Sequence, residues 1–348
     1  YTIKKRLLAI LMAATMSLSL LAGCGSTASD ESIEDSSSTG ETGTEQAEDT
    51  TSESLRTEYP LTLDIYDADG NVVSVTFESA PERIVSTQLS ITELLLDLGL
   101  EDKIVGILDP ESDVDEELAE RLSSLNSLGP KTTISKEAVI ALDPDIVMGK
   151  STRMFTDNAV GTVESYLDLG IGVYTQLSSV DVIDQSLENI LQDIRNIGII
   201  FDVQEEANAY ADSLEEQLNA TLERVSTEAE GKEALTAILM TGYQDGTFVA
   251  YVSDLSSILL ETVGMTNVLE SGGSGLTLEN LISLNPDVII YVDDENDELN
   301  SLLAEDAIQD VSAVANGRVL EIAYIDVMEY GARIISTLDV FADFLYGE

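Results

Sequence analysis

The sequence predicts an α/β protein of two similar lobes, each with a mainly parallel sheet, joined by a long backbone helix. Three observations carry that prediction. Short apolar runs alternate with helical patterns in two separate series, an alternation that lays parallel strands beneath covering helices. A fifteen-residue segment of the first series recurs in the second at a constant offset of 142 positions. Between the series, about Val203 to Val225, lie 23 residues rich in helix formers with neither Gly nor Pro.

The chain has 348 residues, more than a single core usually serves. It opens on a basic cluster, Lys4, Lys5 and Arg6, followed by a mostly apolar run from Leu7 to Leu20. That run is shorter than the roughly 20 residues a membrane span needs, so it reads as a secretory leader. Leu21-Ala22-Gly23-Cys24 resembles a bacterial lipobox. The resemblance implies that Cys24, the sole cysteine, becomes a lipidated first residue on the outer face of the cell membrane. Residues 25–58 are Ser, Thr, Gly, Glu and Asp with few large apolar groups, and so read as a disordered tether. The expected divisions are then an N-terminal lobe at 59–202, the linking helix at 203–226 and a C-terminal lobe at 227–348.

The elements follow in order. Leu61–Tyr66 and Val72–Phe77 alternate apolar and polar residues around Asp69-Gly70, the pattern of a β-hairpin. The first series then gives strands at Ile84–Ser86, Lys103–Ile107, Asp145–Met148 and Ile171–Tyr174, with helices at Thr92–Leu98 and from Lys136. The second gives strands at Ala237–Met240, Val249–Val252, Val288–Val292 and Val319–Ile322, and helices at Ser256–Val263 and about Ala332–Leu345. As one helix, the linking stretch would span about 35 Å. A strut of that kind is stiffer than strand hinges and predicts limited closure on a ligand.

The repeat lays Ile134–Met148 on Leu276–Ile290 without a gap. Glu, Ile, Leu, Pro and Asp recur identically, and apolar positions match apolar positions. Ser135 and Thr277 can each cap a helix whose second residue is an acid, Glu137 or Glu279, and Pro144 or Pro286 ends it before a buried strand. An acid in a first helical turn is favoured by the helix dipole alone, by a few tenths of a kcal/mol to about one. That need does not explain a Glu at the same place in both copies.

Pro81-Glu82-Arg83-Ile84-Val85-Ser86, the run Thr92 to Gly99, Lys103-Ile104-Val105-Gly106 and the two Glu-to-Pro-Asp repeats resemble the class III solute-binding proteins that serve iron-siderophore, haem and cobalamin importers. The resemblance spans Leu61 to Leu345. It implies two lobes bridged by a backbone helix with a ligand cleft between them, and an ABC permease dimer as partner. It also implies that Glu137 and Glu279 meet basic residues of that dimer. One matched charge on each of two related lobes independently suits a two-fold symmetric partner.

Ligands of open α/β sheets sit beyond the carboxyl ends of the strands. That rule selects Thr87, Gln88, Lys150, Ser151 and Arg153 in the first lobe, and Tyr243, Tyr251, Tyr330 and Arg333 in the second. Gln88, Arg153, Tyr243, Tyr251, Tyr330 and Arg333 are the candidate ligand contacts, each weighed against packing or a surface ion pair. Arg333 matches the Arg that the resembled family often carries just before its final helix. Arg and Tyr together suit a ferric siderophore, since guanidinium pairs its donors with anionic oxygens and phenol adds apolar area with a hydroxyl. A corrinoid held by shape is the next expectation. Haem is third, because the chain has no His to ligate its iron. No resident cofactor or metal is expected, and the protein is expected to act as a monomer.

Composition excludes much else. Without its three leading basic residues the chain keeps 13 Lys and Arg against 66 Asp and Glu, a formal charge of −53. Such a surface repels nucleic acid and favours solubility. The absence of His, and of Cys beyond Cys24, removes Ser-His-Asp and thiol catalysis. The rivals that remain are a paired-carboxylate hydrolase, for which no acid pair stands out, and a surface sensor or adhesion module on the same fold. Gly149-Lys150-Ser151 is no phosphate loop, because Pro144 stands where that loop needs Gly. Asp67-Ala68-Asp69-Gly70 lacks the acid that a calcium loop needs at Ile65. Gly272-Gly273-Ser274-Gly275 reads as a flexible turn, Ser90-to-Glu93 as a capping box, and Asp293–Glu298 as a solvated acidic loop.

Overall fold

The computed structural model describes residues 55–293 and 297–347, with Thr152 and Arg153 in their backbone alone. The expected leader, Cys24 and the tether up to residue 54 lie outside the described residues. The end of the tether is pinned rather than loose. The Arg56 guanidinium pairs with Asp202 at 2.9 Å, and Thr57 donates from its N–H to Asp202 and from its hydroxyl to the Ile199 carbonyl.

The body opens on the expected hairpin, β1 (Leu61–Tyr66) and β2 (Val72–Phe77), in antiparallel register. Asp67 closes its turn by accepting from the N–H groups of Asp69 and Asn71. The first lobe is a four-stranded parallel sheet of β3 (Ile84–Ser86), β4 (Ile104–Ile107), β5 (Ile146–Gly149) and β6 (Gly172–Thr175), in the order β4-β3-β5-β6. Its first helix, α1 (Leu89–Asp97), begins three residues earlier than expected, at an N-cap Gln88 whose side chain makes no cap. The Ser90-to-Glu93 capping box therefore does not form, and the Glu93 carboxylate is taken by Arg333. α2 (Lys136–Ile140) precedes β5, and α3 (Leu187–Phe201) closes the lobe.

The linking helix α4 runs over Gln204–Glu228, 25 residues or roughly 37 Å. Its buried positions, Gln204, Ala207, Ala211, Leu214, Leu218, Thr221 and Val225, step by three and four in turn, so one narrow stripe faces inward. The stripe packs on α3 and on the last helix. At the α3 crossing Gly198 meets Ala207 so closely that a Cβ on Gly198 would run into the Ala207 methyl.

The second lobe is a mixed sheet ordered β10-β8-β7-β11-β12. Its central strand β7 (Leu235–Gln244) pairs in parallel with β11 (Val288–Val292), which pairs in parallel with β12 (Val319–Ile322). On its other edge β7 is shared. Its start pairs in parallel with β9 (Met265–Asn267), and its end turns back antiparallel into β8 (Thr247–Tyr251). The turn is Asp245-Gly246, both left-handed at φ 49° and 80°. β10 (Gly273–Thr277) extends the sheet antiparallel to β8, so the glycine-rich run expected as a flexible turn forms an edge strand. α5 (Leu278–Leu284) precedes β11, and α6 (Arg333–Tyr346) ends the chain.

The duplication holds at the level of single hydrogen bonds. Ser135 and Thr277 cap α2 and α5 by accepting from the N–H of Ala138 and Asn280. Asp143 and Asn285, 142 positions apart, both take left-handed backbone, at φ 49° and 44°. The next acid then ties strand to strand in each copy. Asp145 accepts from the N–H of Arg83 at 3.0 Å ahead of β3, and Asp287 from the N–H of Thr236 at 3.0 Å in β7.

The strand period of two sorts the core of the second lobe. Along β11, Val288, Ile290 and Val292 join a core continuous with the first lobe through α4 and α6, while Ile289 and Tyr291 join a separate core on the other face.

Candidate functional site

The lobes touch along the segment that follows β12, Tyr324 to Arg333. Carboxyl ends of all four strands of the first lobe receive it. After β3, the Gln88 side-chain amide donates to the Glu329 carboxylate. After β4, Glu111 lies 3.5 Å from the Tyr324 hydroxyl, and Asp115 accepts from Arg333 Nη2 at 3.2 Å. After β5, the Lys150 ammonium stands 4.7 Å from the centre of the Tyr330 ring, within cation–π range. After β6, the Gln176 amide and the Ser178 hydroxyl both donate to the Tyr330 carbonyl at 3.0 Å.

The loop after β6 is held by a buried acid. Asp193 on α3, 3 % exposed, accepts from the Tyr174 hydroxyl, from the N–H groups of Leu177 and Ser178, and from the Ser178 hydroxyl. Burial outweighs these four bonds, and its carboxyl is pushed up to about 6. Beside it, Gln176 spends its N–H₂ on Ser90 and Tyr330, while its Oε1 is buried without a hydrogen-bond partner.

Arg333 joins the lobes electrostatically. Its Nε and Nη2 both sit 2.7 Å from Glu93 Oε1 in the first lobe. Nη1 faces Asp326 of its own lobe at 3.4 Å, and Nη2 also reaches Asp115. Burial raises the Glu93 carboxyl above its ordinary range, although the guanidinium pulls the other way. Behind Glu329, between α1, α4 and α6, lies a cavity of about 230 Å³. Ser90, Asp97, Arg121 and Tyr210 are among the residues that line it. It is smaller than the clefts that bury drug-sized ligands.

A tyrosine cluster faces these groups. Burial first, then the Glu111 and Glu329 carboxylates, lift the Tyr324 hydroxyl well above its ordinary range, with Tyr251 and Tyr330 also close enough to act on it. Burial and then Asp293 raise Tyr251. Glu329, 2 % exposed, is raised by burial against the pull of Lys150.

Of the residues chosen from sequence, the fold brings Gln88, Lys150, Tyr251, Tyr330 and Arg333 to this junction. Tyr243 lies elsewhere: it is 5 % exposed in the separate core of the second lobe, and its hydroxyl donates to Glu305 at 2.6 Å. The Arg153 side chain lies outside the described residues. The Thr87 hydroxyl donates to the Met148 carbonyl and so ties β3 to β5. Glu111, Gln176, Tyr324 and Glu329 were not singled out from sequence. Gln176 follows β6 directly and Tyr324 lies two residues past β12, so the carboxyl-end rule reaches them; Glu329 is apparent only from its burial.

Glu137 and Glu279 are both exposed, each at the second position of its helix. In both lobes the helix precedes its strand through a short turn, and in the second lobe it starts directly after Thr277, which lies across β8 from Gln244 at the carboxyl end of β7. The start of α5 therefore lies at the carboxyl edge of its sheet, the edge on which the cleft residues also lie.

With this geometry, comparison with known proteins is informative. A family model described as periplasmic binding protein matches residues 84–324. An uncharacterized ABC transporter substrate-binding lipoprotein of Bacillus subtilis (strain 168), YvrC, is 24 % identical over 341 residues, covering 97 % of this chain and 95 % of its own. Two solved structures share the fold. A periplasmic binding protein from Veillonella parvula superposes with a TM-score of 0.69 at 20 % identity, covering 84 % of this chain and 93 % of the other. An ABC-type Fe3+-hydroxamate transport system protein from Saccharomonospora viridis gives 0.65 at 23 % identity, covering 83 % and 99 %.

Proposed function

Matched over most of its length by that model, the chain belongs to the periplasmic binding protein family, and from that premise we propose that it is the substrate-binding component of an ABC importer. It captures a ferric siderophore between its lobes and passes it to a permease dimer. The observation that carries this reading is the pair Glu137 and Glu279, exposed at equivalent helix starts, one on each of two duplicated lobes. A two-fold permease offers two equivalent basic sites to such a pair.

The ligand assignment draws on the junction. Tyr251, Tyr324 and Tyr330 supply three phenols, which give apolar area and hydrogen bonds to a bulky chelate. The fold shared with a protein described as belonging to an Fe3+-hydroxamate transport system agrees with an iron chelate as cargo. The iron arrives inside the ligand. Cys24 supplies the lipid anchor, so the binding body works outside the cell at the membrane face, as the lipoprotein name of the Bacillus relative also suggests. Capture and release involve no turnover.

Two measurements test this. Glu137→Lys combined with Glu279→Lys should abolish uptake in cells while leaving ligand affinity unchanged; normal uptake would remove the docking role. Mass spectrometry of ligand released from protein purified from its source, with quenching of Tyr fluorescence by ferric siderophores, should return an intact iron chelate. A chemically altered ligand would instead point to an enzyme.

A further inference from the structure

We propose that the ligand carried between the lobes bears no net negative charge, and that the acids drawn from both lobes along the segment Tyr324 to Arg333 select cationic or neutral chelates over anionic ones. This rests on the chelate reading above and narrows it.

The charge at the junction is uneven. Glu93, Glu111 and Asp115 come from the first lobe, and Asp293, Asp326 and Glu329 from the second. Each bonds to, or acts on the titration of, a group of the segment Tyr324 to Arg333. Against these six acids stand four described cations, Lys131, Lys150, Arg333 and Arg121, and each already faces an acid, Arg121 being paired with a seventh, Asp97, at 2.7 Å. Lys131 pairs with Glu111. Lys150 lies over the Tyr330 ring and acts electrostatically on Glu329. Every nitrogen of the Arg333 guanidinium meets a carboxylate. Arg153, with its side chain undescribed, adds at most one further positive charge.

An anionic ligand entering here would leave water without gaining a free cation, a costly exchange in a partly buried site. The unspent hydrogen-bonding capacity points the same way: Gln176 Oε1, buried beside Tyr330 without a partner, is an acceptor and offers an anion no donor. The field of the whole chain, at a formal −50, adds to the effect during approach. If the acidity served solubility alone, the junction would have no reason to spend each of its described cations on a carboxylate.

The size of the effect follows from Coulomb's law. One uncompensated carboxylate about 10 Å from a unit charge, at the dielectric of water, changes affinity about twofold. A net excess of about two or three acids therefore gives roughly a four- to eightfold change per unit of ligand charge at low salt, shrinking as salt screens it.

One iron(III) trishydroxamate prepared with a free terminal amine, with that amine acetylated and with it succinylated provides cationic, neutral and anionic forms of one chelate. Binding of each to the purified chain, by calorimetry or Tyr quenching at low and high salt, should rank cationic over neutral over anionic. The spread should close in high salt and narrow about twofold in Glu111→Gln, whose fold is checked by its melting curve. Equal affinities, or a preference for the anion, overturn charge selection and leave the chelate reading standing. If hydroxamates fail to bind, a corrinoid in its cationic aquo and neutral cyano forms is the second arm, and the same ranking supports the proposal. If neither class binds, the chelate reading falls and this inference falls with it.

Discussion

Replacing Arg333 by Ala should destabilise the protein by about 2 kcal/mol, and most of that loss should vanish when Glu93 is also replaced by Gln. Breaking a buried ion pair by removing one partner costs about 3–5 kcal/mol when both groups are fully enclosed. The Glu93 side chain is 13 % exposed and that of Arg333 is 30 % exposed, so solvent recovers part of that cost. Asp115, at 52 % exposure, adds little, and Asp326, at 33 %, adds a fraction of a kcal/mol. Glu93 therefore carries the effect, because Arg333→Ala leaves it buried and charged.

A urea-unfolding double-mutant cycle with Arg333→Ala, Glu93→Gln and both together isolates the pair. We expect a coupling of about 1–2 kcal/mol. Acid pH gives an internal check. Burial already raises the Glu93 carboxyl, and loss of the guanidinium raises it further. An acid whose folded pKa is raised gains stability as pH falls through that value, so the deficit of Arg333→Ala should shrink toward pH 5. A coupling below about 0.5 kcal/mol, or a deficit independent of pH, would refute the claim that this pair fastens the lobes.

Two further predictions follow from the same structure. Asp193, pushed up to about 6, and Glu93, Asp326 and Glu329, all raised by burial, take up protons on folding between the ordinary carboxyl range near 4 and their raised values. Stability should therefore fall as pH rises through that window, giving a higher melting temperature at pH 5 than at pH 7.5; Asp193→Asn should flatten the slope, and a lower melting temperature at pH 5 would contradict it. Gly198→Ala should cost about 1–3 kcal/mol because its new methyl meets Ala207 across the α3–α4 crossing, and adding Ala207→Gly should restore most of the loss in urea unfolding.

Much of the fold was legible because its signals are local. β1, β2, β11 and β12 have the bounds that alternation and apolar runs give. The linking helix is legible from 23 residues free of Gly and Pro, and extends a few residues beyond them. The mixed second sheet was missed although its signal was present. Asp245-Gly246 is the same dipeptide as Asp69-Gly70 and likewise joins two antiparallel strands, yet β8 reads as one more member of a parallel series. β10 was missed for a different reason. Glycines weaken any strand pattern, and Gly273–Thr277 is ordered by pairing with β8, a tertiary contact that propensity does not contain.

The site was less legible than the fold, because side-chain partners lie far apart in sequence. Arg333 is conspicuous as a rare cation, but its partners Glu93 and Asp115 lie more than 200 positions away. Tyr243 follows the same carboxyl-end rule as Tyr251. The rule gives the end of the strand and not the face, and Tyr243 falls on the face that joins the separate core.

The placement of the acids bears on release. Glu137 and Glu279 start the helices that precede β5 and β11 in the two copies of the repeat, and the β10–β8–β7 register sets the start of α5 at the carboxyl edge of its sheet, the edge from which Tyr324 extends. The Arg333–Glu93 pair lies deeper, beside the cavity bounded by α4. In the proposed importer, a permease that draws the two acids apart therefore acts on the tyrosine side of the junction first.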